Sequence, residues 1–257
     1  MNTAALGIPT LEINGPVARI RLNRPRQHNR FEAVDIAALA RMVAEVENER
    51  TVRVLLVGAT GPTFSAGFDI GALGDADAPA DVMAFGRLCD QLEGVRIPTV
   101  CALNGSVYGG ATDFALACDY RIGVRGARMR MPPTRLGIPY FHGGLRRYVE
   151  QLGLSTAKRL LLSAEEIDGD TMLRVGFLHQ LVDAAELTER ADAMAMGIAA
   201  GAPSAVQGLK ASLTGIRRGT ADPAETEARF VHAIGSEDLQ EGLRAWKERR
   251  QPCFADR

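Results

Sequence analysis

What this sequence lacks excludes several classes of protein. Lysine and arginine number 30 against 31 aspartates and glutamates, which leaves a formal charge of -1. A nucleic-acid-binding protein is expected to carry a basic surplus, so no nucleic acid is predicted as a partner. No window approaches 18 uninterrupted apolar residues, and the first ten residues lack a basic stretch followed by a long apolar one. Neither a membrane span nor an export signal is predicted.

Cysteine is also scarce, with four residues and no CxxC pair. Three of them, Cys89, Cys101 and Cys118, lie inside apolar runs, where buried free thiols are usual. This pattern favours a reducing, cytoplasmic setting. The sequence contains no convincing Walker motif, no HExxH and no Cys/His cluster with metal-ligand spacing. No metal site is therefore predicted.

The first 125 residues alternate strand and helix patterns. A hairpin is predicted for 11–14 and 17–22, and buried strands for 52–58 and 99–103. Helices with one apolar face are predicted over 36–46 and 82–92, and a loop of small residues over 71–80. This order predicts an α/β fold with parallel strands joined by right-handed crossovers.

The second half of the chain is mostly helical in pattern. After a strand at 120–124 and a proline-rich connection at 129–142, the main remaining strand signal is at 178–182. Three helical segments then follow a shift in composition near Gly201. We therefore predict a β/α core over residues 1–200 and a helical C-terminal region over 201–257.

A glycine pair joins the predicted strand at 99–103 to the helix after it. The first amides of a helix have no partner within the helix and carry the positive end of its dipole, so they can hold a negative charge. Gly109 and Gly110 would let a ligand approach this backbone without a side chain in the way. The alternative is a tight connection that binds nothing.

Four segments, in order and at matching spacing, carry a resemblance over nearly the whole chain. They are Arg24-Pro25 with Asn29; Phe64-Ser65-Ala66-Gly67-Phe68-Asp69-Ile70; Asn104-Gly105 through Gly109-Gly110; and Ser236-Glu237-Asp238 with Glu241-Gly242 and Arg250-Gln251-Pro252-Cys253-Phe254. Together they resemble the enoyl-CoA hydratase/isomerase family, the crotonase superfamily. The resemblance implies a spiral core of repeated ββα units, a C-terminal helical region, and assembly as a trimer or a dimer of trimers.

The resemblance also implies an acyl-CoA substrate and two groups of site residues. Coenzyme A would enter as part of the thioester substrate, with no separate cofactor. The backbone amides of Phe68 and Gly110 would form an oxyanion hole for the thioester oxygen of an enolate. The residues that match CoA-binding stretches are Gln27, His28, Ala66, Asp69 and Ile70. His28 has the alternative interpretation of a solvated loop histidine.

The chain departs from the family at the two glutamates that transfer protons through a shared water in a hydratase. Asp113 aligns with the first glutamate and Pro133 with the second. Since proline cannot transfer a proton, hydration by two glutamates is disfavoured. Tyr140 is the main further candidate as a proton donor, with His142 beside it. Asp113 could instead stabilise the dipole of its helix, and Tyr140 could be a packing aromatic.

Two short segments, 106–110 and 136–140, resemble the methylmalonyl-CoA decarboxylase branch, although Phe68 stands where that branch has a histidine. The sequence therefore predicts an enzyme of the enoyl-CoA hydratase/isomerase type. Decarboxylation of an acyl-CoA is the alternative reaction. A catalytically silent acyl-CoA-binding protein is the alternative of another class, and RNA binding, disfavoured by the near-neutral charge, is a third.

Overall fold

The computed structural model describes residues 7–74 and 76–255. The strands are β1 (Thr10–Asn14), β2 (Val17–Leu22), β3 (Val54–Ala59), β4 (Thr63–Ser65), β5 (Thr99–Leu103), β6 (Ser106–Tyr108), β7 (Tyr120–Val124), β8 (Arg128–Arg130), β9 (Glu166–Asp168) and β10 (Gln180–Val182). The helices are α1 (Ala33–Asn48), α2 (Ala78–Gly94), α3 (Gly110–Leu116), α4 (His142–Leu152), α5 (Leu154–Ser163), α6 (Gly169–Arg174), α7 (Leu187–Ala199), α8 (Pro203–Arg218), α9 (Pro223–Ile234) and α10 (Glu237–Glu248).

The larger sheet has six strands in the order β1-β2-β3-β5-β7-β10. β1 and β2 form the predicted antiparallel hairpin, and every other neighbouring pair is parallel. β5 is buried along its whole length, as is typical of a strand covered on both faces. The prediction of parallel strands is thus confirmed, but β5 does not lead straight into the glycine bend as expected, because the short strand β6 lies between them.

The structure contains a second sheet of four short strands, in the order β4-β6-β8-β9. The sequence patterns did not predict this sheet. Each strand is three residues long, which is too short for a readable alternation of polar and apolar side chains. Two of them correct specific predictions. β8 occupies the start of the expected proline-rich connection, and β9 lies where the strand signal was expected to be absent.

The helices before the bend follow the predicted pattern with one correction. Phe85, Leu88, Cys89 and Leu92 of α2 are buried, as expected for its inner face. However, α2 begins at Ala78, and a 3₁₀ helix spans Ile70–Gly74, so the described part of 71–80 is not a simple loop. A proline in the first turn of α2 fixes a helical φ where no amide donor is needed.

α3 runs through the interior, because all seven of its residues are buried. It packs against α2 and α4, and these three helices enclose the side chains described below. The three helical segments predicted after Gly201 correspond to α8, α9 and α10. Within the described parts of the chain, none of the helices has the length and the apolar character that crossing a membrane requires.

Candidate active site

The bend between β6 and α3 has a backbone conformation that favours glycine. Gly109 has φ 54° and ψ -135°, and α3 begins at the next residue, Gly110. The Thr112 hydroxyl donates a hydrogen bond to the Gly109 carbonyl at 2.7 Å and contacts the Tyr148 hydroxyl at 2.5 Å, which fixes the bend. As the first residue of a helix, Gly110 presents an amide that has no acceptor within the helix.

The amide of Phe68 is turned in a defined direction by a parallel bridge to Phe31. The Phe31 amide donates to the Gly67 carbonyl at 2.8 Å, and the Asp69 amide donates to the Phe31 carbonyl at 3.1 Å. In a parallel bridge, the residue between these two hydrogen bonds points its own amide to the opposite side. Phe68 therefore directs its amide away from Phe31.

The amides of Phe68 and Gly110 lie close together. An ideal Cβ on Gly110 would be 3.7 Å from the Phe68 nitrogen. Gly67 has φ +88°, and a Cβ there would lie 2.5 Å from the Tyr108 carbonyl oxygen and 3.0 Å from the Gly110 nitrogen. The glycine at position 67 is therefore required for the two loops to approach each other, and the structure brings the two predicted amides to one place.

Asp113, on the first turns of α3, is fully buried and paired with Arg147 of α4. The Arg147 Nε donates to Oδ1 at 2.7 Å and its Nη2 donates to Oδ2 at 3.0 Å, while both side chains have an exposed fraction of 0%. Burial raises the pKa of Asp113, and Arg147 opposes that rise. The carboxylate is thus held by a two-pronged ion pair rather than free in a cleft.

Tyr140 lies beside this pair. Its hydroxyl donates to Asp113 Oδ2 at 3.4 Å, which is a long hydrogen bond. Its ring packs on Gly144 of α4, where any Cβ would overlap the ring, and stacks with Phe141 at a centroid distance of 4.2 Å. Burial, followed by the charge of Asp113, raises the pKa of Tyr140 well above its usual value. The phenol therefore stays protonated at neutral pH.

Pro133 and His142, the other two positions considered for proton transfer, differ from the pair of Asp113 and Tyr140. Pro133 is buried at the start of a 3₁₀ helix, Pro133–Arg135. His142 is exposed as the first residue of α4. Pro133 has no proton to transfer, so Asp113 and Tyr140 are the predicted proton-transfer side chains that the structure brings together.

The five residues predicted to bind CoA lie on two neighbouring loops. The Ala66 amide donates to the His28 carbonyl at 2.8 Å, and the His28 ring contacts the Thr63 hydroxyl at 2.9 Å. Gln27 and Ile70 are exposed, whereas Asp69 accepts a hydrogen bond from the Gly71 amide at 3.1 Å. These loops lead directly to Phe68, so a ligand lying along them would reach the paired amides.

Comparison with known proteins agrees with this arrangement. The model of the family described as enoyl-CoA hydratase/isomerase matches residues 12–257. The chain belongs to the enoyl-CoA hydratase/isomerase family. The family predicted from the four sequence segments is thereby confirmed.

Several known proteins are similar to the chain over almost its whole length. The short-chain-enoyl-CoA hydratase of Clostridium acetobutylicum is 33% identical over 94% of this chain and 95% of its own. The crystal structure of an enoyl-CoA hydratase from Bacillus anthracis has a TM-score of 0.91 at 27% identity, covering 97% of this chain and 99% of its own. The structure of Pseudomonas aeruginosa DspI has a TM-score of 0.90 at 30% identity, covering 99% and 98%. The predicted crotonase fold is confirmed.

A cluster of charges around Glu93 is linked to Asp113 through Arg147, and it was not predicted from the sequence. Glu93 of α2 has an exposed fraction of 3% and forms ion pairs with Arg146, Arg147, Arg217 and Arg218. Burial opposes ionisation, yet the hydrogen bonds from Arg146 and Arg218 and the other two charges lower the pKa of Glu93 to about 2. Arginines are mostly exposed in proteins, so a sequence pattern does not distinguish these paired arginines from ordinary surface residues.

Proposed function

We propose that this family member is an acyl-CoA lyase or isomerase that acts through a thioester enolate. The amides of Phe68 and Gly110 would donate hydrogen bonds to the enolate oxygen. The close approach of these two amides, permitted by Gly67, is the observation that supports the proposal. Preorganised donors of this kind lower a barrier by roughly 3 to 4 kcal/mol each.

The CoA part of the substrate would lie along the two loops that carry Gln27, His28, Ala66, Asp69 and Ile70. Exposed side chains on both loops and the direct path to Phe68 support this placement. Coenzyme A would be part of the substrate, and no step requires a separate cofactor or a metal. We also propose cytoplasmic operation, which the four free cysteines support.

Tyr140 and Asp113 would together carry out the proton transfer. Tyr140, protonated at neutral pH, would donate to the enolate, and Asp113 would accept the hydrogen bond that orients the phenol. Hydration by two carboxylates is disfavoured, because Pro133 occupies the second position. Among family reactions, conversion of a short-chain enoyl-CoA is the first to test, since the relative from Clostridium acetobutylicum is named for that substrate.

Decarboxylation of a 2-carboxyacyl-CoA is the second candidate, and the protonated state of Tyr140 favours it. The bond between Cα and the carboxylate carbon would break, CO2 would leave, and the bonding electrons would form the enolate. The Tyr140 proton would then pass to Cα and be replaced from solvent. This route needs a proton donor but no base, which suits a phenol that stays protonated.

The C-terminal region 201–257 would hold a trimer or a dimer of trimers together. Its helices expose large apolar side chains: Leu209, Leu213, Ile216, Phe230, Val231, Ile234, Leu243 and Trp246. Single exposed apolar residues are ordinary, but a set this large on three consecutive helices marks an interaction surface. Sedimentation velocity of the wild-type chain and of Leu213→Asp should show an oligomer that the variant weakens; a wild-type monomer would contradict the proposal.

The reaction is tested by incubating the purified protein with crotonyl-CoA, a 3-enoyl-CoA and methylmalonyl-CoA and identifying products by mass spectrometry. We expect turnover of at least one thioester, and we expect Asp113→Asn and Tyr140→Phe to slow it. Tyr120→Phe is the matched control, because Tyr120 lies on β7 and packs on His179. If both site variants leave the fastest reaction unchanged, the proton assignment is wrong. Binding of all three without turnover would indicate a silent acyl-CoA-binding protein.

A further inference from the structure

We propose that Arg147 is a positioning residue that fixes the Asp113 carboxylate beneath the Tyr140 hydroxyl. The inference rests on the proposed function, in which Tyr140 carries the proton. Arg147 lies on α4 and was not among the site residues predicted from the sequence.

The contact between Arg147 and Asp113 sets the orientation of the carboxylate. Two parallel N–H donors, Nε and Nη2, bind the two oxygens separately at 2.7 and 3.0 Å. A planar guanidinium in this arrangement fixes the plane of its partner, whereas a lysine ammonium acts as a point charge. Oδ2 is thereby kept in place as the acceptor for the Tyr140 hydroxyl.

Arg147 is itself prevented from turning by contacts to α2. Its Nη1 donates to Asp90 at 2.6 Å and lies 3.4 Å from Glu93. Glu93 is in turn held by Arg146 on α4 and by two arginines at the end of α8. The guanidinium is therefore fixed on both sides, so its orientation is transmitted to Asp113 and from there to Tyr140.

Tyr140 can reach Asp113 because Gly144 of α4 has no side chain. An ideal Cβ on Gly144 would overlap the Tyr140 ring and lie 3.1 Å from Asp113 Oδ2. The Tyr140 ring, the Asp113 carboxylate and the Arg147 guanidinium thus form one packed unit beside the first two turns of α4. Such an arrangement would be unnecessary for a tyrosine that merely filled space.

Charged and titratable groups face Asp113 from three elements. They are Cys89, Asp90 and Glu93 of α2, Arg147 and Tyr148 of α4, and Tyr140 of the preceding loop. Burial raises the pKa of Asp113; Arg147 lowers it, while Asp90 and Glu93 raise it. Removing Arg147 would therefore leave burial and two like charges acting in the same direction, and the carboxyl would gain a proton at a higher pH.

The test follows the Tyr140 ring rather than turnover. The protein contains four tyrosines; labelling them with 3-fluorotyrosine and assigning one ¹⁹F resonance by its loss in Tyr140→Phe gives a probe 3.4 Å from Asp113. We expect the pH titration of this resonance to move upward by about one unit or more in Arg147→Met. A titration that stays within about 0.3 units of the wild type would overturn the proposal.

Three further variants make the result specific. Arg147→Lys keeps the charge but loses the two parallel hydrogen bonds, so we expect a smaller upward shift of the titration. If Arg147→Met does not fold, an unshifted titration in Arg147→Lys overturns the proposal. Asp113→Asn combined with Arg147→Met should abolish the transition, which assigns it to Asp113. Arg159→Met is the matched control, since Arg159 of α5 pairs with Glu165 on the surface, and it should leave the titration in place.

This measurement separates the inference from the proposed function, because it needs no substrate. A moved titration in a protein that turns over none of the three thioesters would leave the geometry of Arg147 correct and the proposed reaction wrong. Where the protein does turn over a substrate, the acid limb of kcat should move upward in Arg147→Met by the same amount as the ¹⁹F titration. A purely structural arginine would lower kcat without moving that limb.

Discussion

The candidate site has two halves that are built in different ways. In the first half, neutral backbone amides of Phe68 and Gly110 are placed by glycine conformations and a parallel bridge. In the second half, Asp113 and Tyr140 are placed by ionic contacts buried among α2, α3 and α4. The two halves meet at the start of α3, where Gly110 and Asp113 are three residues apart.

The two halves differ in the kind of substitution that disrupts them. A backbone donor survives almost any side-chain substitution, and it fails when its glycine neighbours are changed. A buried ion pair is different, because removing one partner strands the other charge and costs about 3 to 5 kcal/mol of stability. The first half should thus respond to small steric changes, and the second to changes of charge and pH.

The largest effect is expected from Gly67→Ala, which attacks the backbone half. The new Cβ would lie 2.5 Å from the Tyr108 carbonyl and 3.0 Å from the Gly110 amide, so the two loops must separate. We expect turnover to fall by about 10²- to 10³-fold, as when an oxyanion donor is removed. Steady-state kinetics and CoA-thioester binding give the measurement.

Gly126→Ala is the matched control for that change. Gly126 also has a positive φ, +83°, but a Cβ there would meet nothing within 4 Å. It should lose some stability from backbone strain while keeping its turnover. Equal losses of turnover in the two variants would show that strain, and not the approach of the loops, explains the effect.

The next effect concerns the charged half and its pH dependence. The ionic contacts lower the pKa of Glu93 from 4.5 to about 2, so the folded state favours the ionised form. This stabilisation, roughly 3 kcal/mol, is present above pH 4.5 and is lost as the pH falls toward 2. Urea unfolding of Glu93→Gln should show lower stability at pH 7 and a weaker dependence on pH in that window.

Exposed Glu165, paired with Arg159 on the surface, provides the comparison for Glu93. Glu165→Gln should leave stability nearly unchanged, because exposed ion pairs contribute little. If Glu93→Gln behaves like Glu165→Gln at pH 7, the buried charge cluster does not stabilise the site.

Tyr140→Phe tests the proton donor with little change of shape. Loss of the hydroxyl should lower kcat by about 10²-fold, as expected for a general acid, and leave stability nearly unchanged because the ring is kept. The kinetics should be measured beside those of Tyr120→Phe. A Tyr140→Phe variant with wild-type kcat would place the proton donor elsewhere in the site.

A smaller effect is expected from Gly144→Ala, which moves Tyr140 without removing it. The methyl group would overlap the ring, so the hydroxyl must leave Asp113, and we expect about a tenfold fall in kcat. Gly197→Ala on α7 is the control, because a Cβ there meets nothing within 4 Å and alanine favours the helix by about 1 kcal/mol. Unchanged kcat in Gly144→Ala would mean that the position of the ring does not matter.

The two halves also differ in how far the sequence could predict them. The strand at 99–103, the glycine bend and the helix after it are confirmed, since unusual backbone conformations at Gly67 and Gly109 require glycine and leave a visible mark. Arg147 and Glu93 leave no such mark. Their burial depends on the packing of α2 against α4 and on α8, and residues more than fifty positions apart supply the contacts.

The second sheet also left no signal in the sequence, because its strands are short. Strands of three residues, such as β4 and β9, are defined by their neighbours and not by their own alternation. The catalytic roles of Phe68, Gly110, Asp113 and Tyr140 stay predictions, as do the five CoA-binding residues. The structure places the four together, and the experiments above address each half separately.

The proposed reaction depends on the Phe68 and Gly110 amides polarising one thioester oxygen. Infrared difference spectroscopy measures this polarisation on an unreactive acyl-CoA with a ¹³C-labelled thioester carbonyl, bound to the wild-type protein and to Gly67→Ala. We expect the carbonyl stretch to move to lower frequency on binding to the wild type, and we expect this movement to be lost in Gly67→Ala. A saturated wild-type complex whose carbonyl stretch matches that of the free thioester would contradict it.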